Sequence, residues 1–179
     1  MVFYDKPKHT EFRNLSARAF TPASMRRLEQ QLEQNAQQYA AEFLAALEEH
    51  GTIDLVENFS VKLPLATICE LLGLPASDWA KVHSWTDLRN MSTDADPIVR
   101  RELSLELRGY LDNLIERSQT CPVDGPYDVV GRIGHGEPQG CPMTQQQLHG
   151  YFFLLISAGN ETTRNAITGG VAALLENPD

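Results

Sequence analysis

The sequence predicts a mostly α-helical protein with little sheet, one domain over residues 1–179. Apolar residues recur at helical spacing along most of the chain, as in Leu28, Leu32, Tyr39, Phe43 and Leu47. Helix start and stop signals recur as well: Thr21-Pro22, Gly51, and Thr144 followed by Gln147. No run of strands alternates with helices, and no internal repeat or low-complexity stretch is present.

The elements follow in order. "HTEFRNLSARAF" reads as a short helix closed at Thr21-Pro22, where Thr can cap and Pro can take the first position of the next helix. That helix spans about Ala23 to His50 and stops at Gly51. "TIDLV" reads as a short extended piece, and "FSVKLPLATICELLG" as a buried helix with proline near its start. "ASDWAKVHSWTDLRNM" is a helix with Ser77 as its expected cap and Trp79, Val82 and Trp85 on one side. "DPIVRRELSLELRGYLDNLIERS" is amphipathic. Residues 119–142 are loop-rich, with room for a short helix near "DVVGRI". Thr144 and Gln147 form a capping box that opens the last helix, running to about Glu176.

Composition narrows the function classes. The net charge of −9 argues against a nucleic-acid partner. Residues 1–30 nevertheless carry +3 against −12 in the remainder, which suits a small anion or an acidic protein partner, or else a solvated helical face. No apolar run approaches the roughly 20 residues that span a bilayer, and "MVFYDKPKHTEF" has no apolar leader, so no membrane association is expected. Cys69, Cys121 and Cys141 are odd in number and lack CxxC spacing, which fits a reducing cytoplasm. Cys69 reads as a core residue and the other two as loop thiols. His50, His83, His135 and His149 lack ligand spacing.

Two stretches carry chemistry. "AGNETTRN", Ala158 to Asn165, breaks the pattern of the most apolar segment with a glycine, a carboxylate and two threonines. Residues 158 and 162 share a helix face, so the Thr162 hydroxyl can bond the Ala158 carbonyl and bend the helix. Gly159 lets a large group approach the backbone. With Glu161 this makes an opened helix able to pass protons into a dry pocket. The alternative is a satisfied interior, with Thr162 back-bonded and Glu161 paired to Arg164 on a wet face. In "KHTEFR", His9 and Arg13 also share a face and can both address one anion, or simply form a surface turn.

"AGNETTRN" resembles the oxygen-activating helix motif of the cytochrome P450 family. "DKPKHTEFRNLSARAFTP" is similar to the bacterial members' segment whose His and Arg hold the haem propionates. "ICELLGLPASDW" and "LLENPD" resemble the stretches between and after these motifs. The resemblance covers nearly the whole chain and implies part of that fold, a helical bundle around a long central helix. It further implies that Glu161 and Thr162 are the acid–alcohol pair delivering protons during oxygen activation. Ala158 and Gly159 would line the oxygen groove, and His9 and Arg13 would bind haem. The implied partners are dioxygen, a ferredoxin-type or similar redox partner, and a hydrophobic substrate such as a steroid, terpenoid or branched lipid. The helices containing Trp79 and Leu107 would cover the substrate pocket, joined by a mobile lid around "STDADP" with Asp94, Asp96 and Pro97. Phe153 or Leu154, with Ala158, would line the pocket.

The chain also departs from the family pattern. The ligand loop Phe-x-x-Gly-x-x-x-Cys-x-Gly is missing: seven residues before the cysteines stand Lys62, Leu114 and Gly134, and two after them Leu71, Val123 and Met143. No metal ligand is assigned, and the axial cysteine is expected outside this chain. The Glu-x-x-Arg pair and the N-terminal sheet region are absent too. The chain therefore resembles an internal fragment, inactive by itself. The competing reading is a cofactor-free α-helical interaction module, favoured if the gene ends at Asp179.

Overall fold

The computed structural model describes residues 4–87, 96–120, 122–123 and 128–177. Seven α-helices and no strand occur among these residues. Helix α1 spans Lys8–Ala17 and runs through a 3-10 turn, Arg18–Phe20, into α2, Pro22–His50. The Thr21 hydroxyl accepts from the Ser24 amide at 3.3 Å, which satisfies one orphan donor of α2. Gly51 ends α2 at φ +74, a left-handed conformation that glycine adopts without penalty.

The segment expected to be extended is partly helical. Leu55 is in a helical conformation and Val56–Ser60 form a π-helical turn. The cause is local: the Asp54 carboxylate accepts from the amides of Val56, at 2.7 Å, and Glu57, at 3.0 Å. An aspartate three residues before a glutamate is a helix-start signal, and it outweighs the β-branched residues around it.

Helix α3, Lys62–Leu71, buries Leu65, Ala66, Ile68 and Cys69. Ser77 does not cap the next helix. The chain enters it through a 3-10 turn, Ala76–Asp78, closed by the Asp78 amide on Pro75, and the Ser77 hydroxyl donates to Asp78 instead. Helix α4, Trp79–Asp87, buries Val82 and Trp85, and Trp79 packs against the core. Helix α5, Pro97–Thr120, starts where Asp96 accepts from the Ile98 amide at 2.8 Å. Asp94 and the rest of the expected lid up to residue 95 lie outside the described residues, as does Cys121. Helix α6, Val129–Gly134, is capped by Asp128.

Helix α7, Gln145–Glu176, is the axis of the fold. Its capping box is complete: the Gln147 amide donates to Thr144 Oγ1 and the Thr144 amide to Gln147 Oε1. Leu148, Tyr151, Phe152, Ile156 and Asn160 are its buried stripe, against which α3, α4 and α5 pack. No described helix is long and apolar enough to cross a membrane.

Candidate functional site

The site residues fall on two helices. Ala158, Gly159, Glu161 and Thr162 lie on α7 just where its buried stripe ends. Ala158, Gly159 and Thr162 are exposed and Glu161 is half-buried. The Thr162 hydroxyl donates to the Ala158 carbonyl at 3.0 Å, the back-bond expected from i, i+4 spacing. The helix stays regular across it from Gln145 to Glu176, so the expected opening of the backbone is not found. The hydroxyl adds its bond without displacing the helical ladder, because a carbonyl oxygen has two lone pairs.

Packing within the chain does not explain Gly159. A Cβ there would meet Ile68 Cδ1 of α3 at 3.5 Å, an ordinary contact. Alanine would therefore fit and would favour the helix by about 1 kcal/mol. The missing Cβ points at Ile68, so the contacts among the described residues give no reason for a glycine here. Leu154, half-buried, stands one turn before Ala158 on the same face, whereas Phe153 packs against the core.

His9 and Arg13 sit one turn apart on α1, His9 half-buried and Arg13 exposed. Neither side chain has a hydrogen-bond or ion-pair partner among the described residues, which leaves both able to meet an anionic group from outside. The structure does not bring this pair into contact with the Glu161–Thr162 pair. The two helices are tied instead through Tyr151 of α7, whose phenol bonds α1 at Phe12 and Ser16. Sequence reasoning missed this tie, because no local pattern marks a partner 139 residues away.

It also missed Asn160 and Thr86. Asn160 is buried and its Nδ2 donates to Thr86 Oγ1 of α4 at 3.0 Å. An asparagine inside an otherwise apolar stripe was the available signal.

The cysteines divide as expected where they are described. Cys69 is fully buried, and burial, with the Asp78 and Glu70 carboxylates, pushes its thiol up to about 12. This is the core position expected for it. Cys141 is exposed. No group of three or more His, Cys, Asp or Glu that could hold a metal occurs among the described residues.

Against this geometry, the comparisons with known proteins are direct. No family model matches the chain. The steroid C26-monooxygenase of Mycobacterium tuberculosis is 37% identical over 183 aligned positions, covering 100% of this chain and 40% of that protein. A cytochrome P450 of Mycobacterium marinum, solved in complex with pseudoionone, superposes with a TM-score of 0.82 at 28% identity, over 97% of this chain and 42% of that one. The chain belongs to the cytochrome P450 family. The polyketide biosynthesis cytochrome P450 PksS of Bacillus subtilis is a further relative, 31% identical over 98% of this chain and 42% of its own. The vitamin D(3) 25-hydroxylase of Pseudonocardia autotrophica is 35% identical over 100% of this chain and 42% of its own. The chain thus spans about 40% of the length of the curated relatives it matches.

Proposed function

We propose that the protein containing this chain is a haem-dependent monooxygenase that hydroxylates a hydrophobic small molecule, a steroid, terpenoid or branched lipid. In this reading dioxygen is the oxidant, a ferredoxin-type or similar partner supplies electrons, and the enzyme works in the cytoplasm. Residues 1–179 are one incomplete P450 domain, and the axial cysteine lies outside them. The observation that carries the reading is the Thr162–Ala158 back-bond beside exposed Gly159 and half-buried Glu161, at the end of the apolar stripe of α7. The relatives named as a steroid C26-monooxygenase and a vitamin D(3) 25-hydroxylase support the substrate class.

The residues present fit the cofactor. His9 and Arg13 offer two donors on one helix face to the propionates, and the planar guanidinium suits a carboxylate. Ala158 and Gly159, both exposed on α7, would line the oxygen groove. Haem, when bound, supplies the binding and activation of dioxygen.

The chain's own residues then do four things. His9 and Arg13 hold and neutralise the propionate charge. Glu161 takes up protons from solvent at its carboxylate, and Thr162 relays them at Oγ1. The Leu154–Ala158 face excludes water and buries substrate, at ~25 cal/mol per Å² of apolar surface.

The test is Thr162→Ala in the full-length holoprotein. Substrate binding stays within about twofold, while product formed per electron consumed falls by about tenfold or more, since a positioned acid–base group contributes ~10²–10⁴-fold to the step it serves. Unchanged coupling would remove Thr162 from the mechanism. A spectral binding screen checks the substrate class: a response to small charged molecules and none to steroids, terpenoids or branched lipids would refute it.

A further inference from the structure

Asn160 is placed at a cost to the fold. It is 1% exposed, its Oδ1 is buried with no hydrogen-bond partner among the described residues, and asparagine is a poorer helix former than leucine or alanine. A half-satisfied buried amide is destabilising beside an apolar side chain of similar size. Packing alone would not select it.

Its one bond is directional. Asn160 Nδ2 donates to Thr86 Oγ1 at 3.0 Å, and that hydroxyl donates onward to the His83 carbonyl at 2.7 Å. Thr86 is 6% exposed and lies in the last described turn of α4. Its neighbour Trp85 reaches the other way: its ring centroid is 4.8 Å from that of Tyr110, and its Nε1 donates to Glu106 at 3.4 Å. The end of α4 is therefore held on one side by α7 and on the other by α5. Apolar contact between α4 and α7 tolerates sliding, whereas a buried hydrogen bond fixes register.

We propose that Asn160 is a positioning residue: through Thr86 it locks the last turn of α4 to the centre of α7, so that a ligand-driven shift of α4 changes the placement of Glu161 and Thr162. This rests on the proposed function, together with the placement of α4 and α5 over the substrate pocket that the family resemblance implies. Asn160 touches no reacting atom. It acts through the helix that carries the next two residues.

The test compares Thr86→Val, which removes the hydroxyl at constant shape, with Thr86→Ser, Asn160→Leu and the Thr86→Val/Asn160→Leu double variant in the full-length holoprotein. The readout is product formed per electron consumed, with the thermal midpoint as control. Thr86→Val and Asn160→Leu should each lower coupling about two- to tenfold, the range for losing one net hydrogen bond. The double variant should be no worse than either single, and Thr86→Ser should resemble the parent. A lowered midpoint with unchanged coupling in Thr86→Val makes the pair merely structural and overturns the inference, as do additive losses in the double variant. Thr162→Ala run in parallel separates the claims: if it uncouples and Thr86→Val does not, the inference alone falls. If neither uncouples, the acid–alcohol reading falls with it.

Discussion

Tyr151 clamps the first helix to the last. Its Oη donates to the Phe12 carbonyl at 2.9 Å and lies 2.9 Å from Ser16 Oγ. Its only proton is committed to Phe12, so Ser16 supplies the proton of the second bond. Burial raises the phenol's pKa, which keeps it a neutral donor. Tyr151→Phe should lower stability by about 1 kcal/mol and speed haem loss, because α1 carries His9 and Arg13. Urea unfolding and haem transfer to an acceptor protein measure both. Unchanged values would mean that α1 is placed by apolar packing alone.

Arg13→Ala should weaken haem retention far more than Arg26→Ala. Both arginines are exposed, but Arg13 shares a face with His9 while Arg26 lies on α2. A charged hydrogen bond to a propionate contributes ~1.5–3 kcal/mol, against ~0–1 for an exposed pair. Equal haem loss in the two variants would contradict the propionate assignment.

Thiol labelling should be selective. In the native protein at pH 8, iodoacetamide should modify Cys141 and leave Cys69 untouched until unfolding. Cys69 is fully buried and its thiol pKa stands near 12, so almost no thiolate is present. Peptide mapping by mass spectrometry reads the sites. Rapid labelling of native Cys69 would show that the core packing around α3 opens.

Asp112 of α5 predicts an acid-sensitive tie to α7. It accepts from Gln145 at 2.7 Å and pairs with His149 at 2.8 Å, and the His149 bond holds its carboxyl below the ordinary carboxylate range. A folded pKa lowered in this way adds stability above the unfolded value of about 4 and loses it as pH falls through the folded value. Urea midpoints should therefore drop below about pH 4, and Asp112→Asn should show a smaller drop. Parallel pH profiles for the two proteins would exclude the tie.

Much of the fold was readable because its signals are short-range. The caps at Thr21, Gly51 and Thr144–Gln147 involve groups within four residues of what they cap, so sequence spacing determines them. The π-helical turn was misread because β-branched residues around Asp54 pointed to an extended chain, whereas a single carboxylate bonding two amides decided otherwise. Ser77 failed as a cap because a 3-10 turn took its position. At the site, the Thr162–Ala158 bond was legible as an i, i+4 pair. The ties from Tyr151 to Phe12 and from Asn160 to Thr86 were not, since they join residues 139 and 74 positions apart and depend on how whole helices dock.

The Thr162 back-bond sets an order of events. A hydroxyl carries one proton, and in the resting helix that proton points at the Ala158 carbonyl. Only the oxygen's lone pairs face outward, so at rest Thr162 can receive but not give. To donate elsewhere, its O–H must first rotate about the Cβ–Oγ1 bond and leave the carbonyl to its helical partner alone, a rearrangement on the picosecond-to-nanosecond scale for an exposed side chain. In the proposed relay, Thr162 would therefore stay closed to its surroundings until a better acceptor drew the hydroxyl away from its own backbone.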